Sequence, residues 1–370
     1  MVSDSTPALR VRRPGMQTTV QDLGRPGFAR YGVPTSGAMD SLSFRLGALL
    51  LDNPPDAAAL EIALVGPELE ALAEIVCTYV GADMGMRVNG ARVEPGVVFA
   101  LRPGDVLEMG AARYGARGYL CVAGGIHVPS ILGSCSTSVA AGLGGFEGRP
   151  LLGSDVLRVG RPYSSAEELL RRVLKPEWRA SYGSSWVLRL VEGSQAAELR
   201  DALGVLCASE WKVSDRSNRI GVRLDGPDLP PPTEGFETEG APLGGVQLPT
   251  DGEPILLLAD HQVTAGYPIP AAIATVDVPL AGRLRPGDTV RFQRVTEAAA
   301  IALLREREER LRAGVFEHLS EPVTGGLPEL LETLERSRIT EFRLTGPGVS
   351  LRWRRRAARG RTTGKTDRGG

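Results

Sequence analysis

A polar cluster in the second half of the chain directly follows a short apolar run at 255–258. Its members combine a carboxylate, an amide, a hydroxyl and a phenol: Asp260, Gln262, Thr264 and Tyr267. Such groups at the end of a strand are typical of a small-molecule site, in which Asp260 could orient an amide or act as a general base. Gln262 and Tyr267 would then bind the substrate. A hydrogen-bonded β-turn without a ligand is the alternative interpretation.

Two glycine-bounded loops in the first half could present hydroxyl and backbone N–H groups to an anion. The candidates are Ser36, Gly37 and Asp40 at one loop, and Ser134, Ser136 and Thr137 in the other. A helix is predicted to begin just after the first loop, and the N-terminus of a helix favours an anion. Ser36 or Asp40 could equally cap that helix and bind nothing.

Composition argues against several other kinds of site. Three scattered histidines and four cysteines without C-x-x-C spacing predict no metal site. Without a secretory signal, the cysteines are predicted to be reduced thiols in a cytoplasmic protein. No apolar run is long enough to span a membrane. A net charge of -1 gives the chain no electrostatic bias toward nucleic acid.

A mainly β fold is predicted to position these candidates. Short apolar runs alternate with Gly- and Pro-rich turn signals through residues 1–290, which is typical of a β-barrel or sandwich rather than of βαβ units. Helices are predicted at 39–51, 165–175 and 296–313. The first follows from apolar spacing, the second from a capping box, and the third from a composition rich in Ala, Glu, Arg and Leu.

Two sequence elements recur in the same order in both halves. Segment 60–69 is echoed by 220–229, and Leu-Arg-Pro-Gly-Asp occurs at 101–105 and again at 284–288. Two similar β domains in tandem, at 8–160 and 185–295, explain this order. The alternative is coincidence, because a strand followed by Gly-Pro is common in any β protein.

The rest of the chain is predicted to be a small appendage and a tail. Within 327–353 we expect a leucine-rich helix, a strand, a tight turn and a second strand. This helix-strand-strand unit is too small to hold a core by itself and should dock on another surface. The Arg- and Gly-rich stretch 354–370 is predicted to be a disordered basic tail.

Three segments carry recognisable motifs in a fixed order. They are 21–40, with QDLGRPG and GVPTSGAMD; 132–149, with LGSCST and GGFEGR; and 239–268, with GGVQLP, DHQ and GYP. Together they resemble the biotin-dependent carboxyltransferase-like family, which includes the C-type subunit of 5-oxoprolinase, the KipI antagonist and the second allophanate-hydrolase module of urea carboxylase. The resemblance covers residues 8–295.

The resemblance implies a fold, a partner and an activity. The implied fold is two tandem cyclophilin-like β-barrel domains. The implied partner is a homologue of the B-type subunit, which is of the allophanate hydrolase subunit 1 type, with a homologue of the A-type subunit as a further candidate. The implied activity is ATP-dependent hydrolysis of 5-oxoproline or a related amide, with ATP at a site that the subunits could share. Substrate- or anion-binding roles are implied for Arg219, Glu239 and Gln247, although Arg219 could form an ordinary ion pair and Glu239 could be a turn acid.

Two alternatives to this function stay open. One is a carboxyltransferase-like component of a biotin-dependent carboxylase, with biotin only on a partner; the appendage resembles the N-terminal segment of the biotin carboxyl carrier protein of acetyl-CoA carboxylase. The other is a non-catalytic antagonist of a kinase inhibitor. Cys135 and His261 stand where the family has arginine, and losing two guanidiniums should weaken anion binding.

Overall fold

The computed structural model describes residues 5–179, 182–196, 199–229, 237–319, 341–346 and 349–354. The helix predicted within the appendage, its tight turn, and the predicted tail beyond Arg354 lie outside these described residues. No helix within the described part of the chain is long and apolar enough to cross a membrane.

The first half of the chain forms two antiparallel sheets. The strands are β1 (Thr6–Arg13), β2 (Gln17–Gln21), β3 (Ala59–Ala63), β4 (Glu68–Ala71), β5 (Ile75–Gly81), β6 (Arg87–Val88), β7 (Ala91–Arg92), β8 (Val98–Leu101), β9 (Val106–Glu108), β10 (Arg117–Val122), β11 (Ile126–His127) and β12 (Val156–Val159). The larger sheet has the order β11-β12-β1-β4-β9-β6-β7, and the smaller has the order β2-β3-β10-β5-β8.

The facing surfaces of these two sheets enclose one hydrophobic core, which includes Leu9, Leu60 and Leu120. Helix α1 (Ser41–Leu50) covers the other face of the smaller sheet with Phe44 and Leu50. Burial on both faces explains why every residue of β5 and β10 is buried and why these strands read as continuous apolar runs.

The second half forms a closed barrel. Its strands and helices are β13 (Arg172–Leu174), β14 (Ser185–Glu192), β15 (Glu210–Val213), β16 (Gly221–Asp225), β17 (Glu239–Gly240), β18 (Gly245–Gln247), β19 (Ile255–Leu257), β20 (Thr264–Ala265), β21 (Ala271–Ile273), β22 (Thr289–Arg294), β23 (Phe316–His318), α2 (Ala166–Leu169), α3 (Arg200–Ala208), α4 (Val278–Ala281) and α5 (Glu297–Arg312). The barrel has the order β14-β21-β18-β19-β16-β15-β22.

Alternation along the barrel strands places one set of side chains inside. Trp186, Leu188 and Leu190 of β14 point into the second core, as do Val222 and Leu224 of β16. The residues between them face outward, because side chains on a strand alternate between its two faces. The mainly β class and a closed barrel are therefore confirmed. The first half takes the form of two facing sheets.

Helices α2 and α5 and the strand pair β13–β23 form a third layer that joins the two halves. In this layer one predicted helix is shorter than expected. Ser165 caps α2 as predicted, but the helix ends at Leu169 instead of continuing to 175. Strand β13 replaces its second part because it pairs with β23, which lies far along the chain. Helix α5 matches the helix predicted at 296–313, although it buries Ala300 and Leu311.

The second repeated element forms the same turn in both halves. Asp105 accepts a hydrogen bond from the Arg102 backbone N–H at 2.7 Å, and Asp288 accepts one from the Arg285 backbone N–H at 3.2 Å. The glycine of each turn has a left-handed φ, 92° in the first half and 90° in the second. The repeat is therefore structural at this point.

The two strands predicted in the appendage are present. They are β24 (Glu341–Gly346) and β25 (Val349–Arg354), which pair antiparallel.

Candidate functional site

A cleft of about 470 Å³ lies on the outer surface of the barrel. Strands β16, β18 and β19 form its floor, where outward-facing residues such as Gly221, Gln247 and Leu257 lie. The segment 262–267 lines the cleft beside them. Four sequence-predicted residues meet here although no two of them are adjacent in sequence: Gln247, Gln262, Thr264 and Tyr267.

The side-chain amides of Gln247 and Gln262 lie next to each other in this cleft. The Gln262 Nε2 donates to the Gln247 Oε1 at 3.1 Å. Gln247 is buried, with 3% of its surface exposed, whereas Tyr267 is 45% exposed. An inner amide pair and an outer phenol can hold a small polar ring between them.

Two arginines that the sequence analysis did not single out complete the cleft. Arg216 donates to both carboxylate oxygens of Glu253, at 2.8 and 2.7 Å. Arg223 lies 3.9 Å from Glu253 and forms no side-chain hydrogen bond to any described residue. The alternation along β16 could have identified Arg223, because Val222 and Leu224 on either side are core residues.

A second cavity, of about 170 Å³, adjoins the cleft. Glu239 lines it, and Tyr267 lines both cavities. The short ladder between β17 and β20 pairs Glu239 with Ala265 and Gly240 with Thr264. The structure thus brings Glu239, which the family resemblance proposed as a separate candidate, next to the cleft residues.

Arg219 and Asp260 lie elsewhere, in a buried ion cluster between the two halves. The Arg219 Nε donates to Asp260 at 2.7 Å, and the two side chains are only 6% and 4% exposed. Arg219 also donates to Glu61 of β3 and to the Gly37 carbonyl oxygen, the latter at 2.7 Å. Burial lowers the pKa of Arg219, but the two carboxylates outweigh it and raise the pKa above its usual value.

Asp40 belongs to a second part of the same junction. It caps α1 by accepting from the Ser43 backbone N–H at 3.0 Å, and it accepts from the Arg283 Nε at 2.6 Å. The Asp40 backbone N–H donates to the Tyr119 hydroxyl at 2.8 Å, which in turn donates to Glu61 at 2.7 Å. Burial, together with Glu61, raises the pKa of Tyr119 well above its usual value.

Ser36 lies at the same junction. Its side chain is only 5% exposed, and its backbone N–H donates to the Ala259 carbonyl oxygen at 3.0 Å. Its φ is 56°, in the left-handed region. Ser36, Gly37 and Asp40 therefore all contact the second half of the chain.

The second glycine-bounded loop wraps around a buried carboxylate. Asp22 accepts hydrogen bonds from the Ser134 hydroxyl at 2.7 Å, from the Ser136 hydroxyl at 2.5 Å and from the Cys135 backbone N–H at 2.6 Å. The Thr137 hydroxyl donates to the Val20 carbonyl oxygen at 2.9 Å. Ser134, Ser136 and Thr137 are thus occupied by the protein itself and lie apart from the cleft.

The two departures from the family motifs also lie outside the cleft lining. The His261 Nδ1 lies 2.6 Å from the Leu258 carbonyl oxygen, and its Nε2 lies 3.0 Å from that of Ala241. Cys135 is half-buried, and burial raises the pKa of its thiol. Among the described residues, no group of three metal-ligating side chains comes together.

Comparison with known proteins places the chain in a family. Residues 31–294 match the family model for the carboxyltransferase domain, subdomain A and B. The C-type subunit of 5-oxoprolinase from Haemophilus influenzae is 33% identical over 300 residues, which is 79% of this chain and 93% of the relative. Its counterpart from Escherichia coli is 34% identical over 314 residues, covering 84% of this chain and 97% of the relative.

Solved structures agree with this placement. The urea amidolyase of Kluyveromyces lactis is 30% identical, with a TM-score of 0.76 over 82% of this chain and 20% of that one. The urea carboxylase of the same organism is 28% identical, with a TM-score of 0.76 over 94% of this chain and 33% of that one. Because the family model matches well over half of the chain, and because the match to the two 5-oxoprolinase relatives covers 93% and 97% of their length, the chain belongs to the biotin-dependent carboxyltransferase-like family that contains the C-type subunit of 5-oxoprolinase.

Proposed function

We propose that this chain is the C-type subunit of a 5-oxoprolinase-like complex, which hydrolyses 5-oxoproline or a related lactam with ATP, together with a homologue of the B-type subunit. Two relatives named as the C-type subunit of 5-oxoprolinase are covered over 93% and 97% of their length, so the likeness extends over nearly whole subunits. The observation that carries the proposal is the chemistry of the cleft, which suits a small ring bearing both an amide and a carboxylate.

Arg223 would bind the substrate carboxylate. Its side chain is 34% exposed, and its nearest acidic partner, Glu253, is 3.9 Å away. A guanidinium without a hydrogen-bonded partner can form two parallel bonds to a carboxylate. Arg216 would contribute mainly charge, because both carboxylate oxygens of Glu253 already accept from its Nη2.

The amide pair would recognise the lactam. The bond from Gln262 to Gln247 uses one donor of the first amide and the oxygen of the second. The Gln262 Oε1 and the Gln247 Nε2 then stay available, since neither side chain forms another hydrogen bond to a described residue. A lactam offers one N–H and one carbonyl oxygen, which match that acceptor and that donor.

Asp260 would act as a positioning residue instead of a general base. Both of its carboxylate oxygens accept from Arg219, at 2.7 and 3.3 Å, and its backbone N–H donates to the Arg219 carbonyl oxygen at 3.0 Å. These bonds anchor the turn that leads into Gln262. The group that activates water would then come from the partner or from the cleft rim.

ATP would bind at a site shared with the partner. The two guanidiniums near the cleft face Glu253, and Arg216 also lies 3.4 Å from Asp225. Glu253 and Asp225 leave these two guanidiniums little net positive charge, which suits a ligand with a single carboxylate better than a triphosphate with several negative charges. We therefore assign the carboxylate-bearing lactam, and not the nucleotide, to this cleft.

The test measures ATP hydrolysis in the presence of 5-oxoproline. The enzyme is this chain co-expressed with the B-type subunit and, if present, the A-type subunit that are encoded beside it. Arg223→Met should raise the KM for 5-oxoproline by about tenfold or more, because a hydrogen bond to a charged group contributes about 1.5–3 kcal/mol. Arg291→Met is the matched control: this barrel arginine pairs with Glu210 at 2.8 Å and is 64% exposed. The KM of the Arg291→Met variant for 5-oxoproline should match that of the wild type. A folded stoichiometric complex that releases no glutamate would refute the proposal.

A carboxyltransferase role is the second candidate. The family model is named for a carboxyltransferase domain, and the match to a urea carboxylase structure covers 94% of this chain. The same complex supplied with carboxybiotin and urea distinguishes the two. Carboxyl transfer without lactam-dependent ADP release would favour this role.

A further inference from the structure

Arg25 is a buried cation whose hydrogen bonds are largely unused. Only 1% of its surface is exposed. Its Nη2 donates to the Ser136 carbonyl oxygen, while its Nε and Nη1 are buried and have no partner among the described residues. One N–H on Nε and two on Nη1 are therefore unmatched.

The neighbouring acids do not accept hydrogen bonds from the unmatched Arg25 donors. Asp22 and Asp260 are close enough to raise the pKa of Arg25, yet burial outweighs them and lowers it. Asp22 is occupied by Ser134, Cys135 and Ser136, and Asp260 by Arg219. A buried arginine keeps its charge, so these donors need an acceptor.

Other unmatched polar atoms lie in the two segments that hold Arg25. The Ser36 hydroxyl is buried without a partner, next to Thr35, whose carbonyl oxygen accepts from the Arg25 backbone N–H at 2.8 Å. The Ser138 hydroxyl is also buried without a partner, two residues beyond Ser136. A hydroxyl group and a guanidinium can both donate to one oxyanion.

A glycine-rich loop, 142–148, covers the guanidinium. A Cβ added to Gly144 would lie 2.7 Å from the Arg25 Nη2 and 2.2 Å from the Ser136 oxygen, so only glycine fits over them. Gly142, Gly144, Gly145 and Gly148 all have left-handed φ values. At Gly144 the loop thus places backbone, and no side chain, against Arg25.

We infer that Arg25 is the centre of an enclosed binding site for one small oxyanion, such as a carboxylate or bicarbonate, beneath loop 142–148. The site is separate from the barrel cleft, whose lining comes entirely from the second half of the chain. It does not depend on the proposed lactam activity. Entry of the ion would require loop 142–148 to open.

The test is thermal unfolding of the full chain in sodium acetate, and separately in bicarbonate, at constant ionic strength with chloride as the balancing ion. A ligand that binds only the folded state raises Tm with a saturable dependence on its concentration. The wild type should show this rise, and Arg25→Met should show none. A rise of equal size in both proteins, or one that never saturates, would overturn the inference.

The matched control is Arg172→Met. Arg172 is also buried, at 3% exposed, but its charge is met by Asp52 and Glu168, each at 2.6 Å. This variant should lose stability yet keep the acetate-dependent rise. If Arg25→Met does not fold, calorimetric titration of the wild type with acetate decides, and the absence of a saturable heat refutes the site. Arg25→Lys should weaken acetate binding by about tenfold, because it loses at least one charge-assisted hydrogen bond.

Discussion

Replacing Arg219 with methionine should destabilise the protein strongly, because it removes the cation that donates hydrogen bonds to two buried acids, Glu61 and Asp260. Arg219 contacts Glu61 and Asp260, whose side chains are 3% and 4% exposed. Removing one partner of a buried ion pair costs about 3–5 kcal/mol, since the remaining charge stays buried. Glu61 keeps the Arg117 guanidinium at 3.6 Å, the Met39 backbone N–H at 2.8 Å and the Tyr119 hydroxyl, which favours the lower end of that range.

Urea unfolding followed by circular dichroism and by tryptophan fluorescence measures this loss. Trp186 and Trp211 lie in the barrel core, whereas Trp178 packs in the cluster around α1. Fluorescence is therefore weighted toward the second half, whereas circular dichroism reports on both. The two signals should coincide in the wild type and separate in Arg219→Met, because Arg219 links the halves. Arg216→Met is the control: its side chain is 52% exposed and pairs with Glu253, so its loss should cost under about 1 kcal/mol.

Two outcomes would refute this reasoning. One is an Arg219→Met protein within about 1 kcal/mol of the wild type, the level expected for an exposed pair. The other is a double variant, Arg219→Met with Asp260→Asn, that is no more stable than the sum of its single changes predicts. Residues in one ion network should instead show a coupling of about 0.5–3 kcal/mol.

Three further predictions concern acid stability, thiol reactivity and domain contact. The Arg45 hydrogen bond holds the pKa of Glu308 at about 2, against a usual 4.5, so this stabilisation is complete above pH 4.5 and is lost as the pH falls toward 2. Glu308→Gln should remove that acid-dependent part, about 1 kcal/mol for a partly exposed pair, measured as unfolding free energy between about pH 5 and pH 3; an unchanged slope would contradict it. A thiol reagent should modify the half-buried Cys135 before Cys121, whose pKa burial raises to about 12, as mass spectrometry of digests would show, and the reverse order would count against the structure. Gly282→Ala should destabilise the chain in a thermal melt, because the new Cβ would lie 2.1 Å from a backbone oxygen of the first half; a normal Tm would refute that contact.

The sequence predicted the parts of the molecule that depend on local spacing. Helix α1 and the repeated Pro-Gly-Asp turn follow from residues within a few positions of one another. Three members of the predicted polar cluster, Gln262, Thr264 and Tyr267, line one cleft because they occupy one short segment beside a strand, whereas the fourth, Asp260, lies in the buried ion cluster.

Long-range pairing explains what the sequence could not predict. Strand β13 forms because it pairs with β23, in which His318 lies opposite Arg172. Nothing in the sequence near residue 172 indicates that pairing. Arg219 was expected either to bind an anion from solution or to form an ion pair. The structure has the ion pair, with Asp260 and with Glu61, and Glu61 is 158 positions away. Arg223, which is four residues further along the chain on the outer face of β16, lines the cleft.

The motifs of the first half specify the junction between the two halves more than they specify the cleft. Gly37 and Asp40 bind Arg219 and Arg283 of the second half, and the loop around Cys135 encloses Asp22. Cys135 contributes a backbone N–H to Asp22, which any residue at this position except proline could supply.

The same reasoning applies to His261. It contacts two carbonyl oxygens, and an arginine could also donate to these. Both substitutions are therefore compatible with the fold, and neither alters the lining of the cleft. If the activity of this chain differs from that of its relatives, the cause should lie among the cleft residues that contact substrate, of which Arg223 is the first to test.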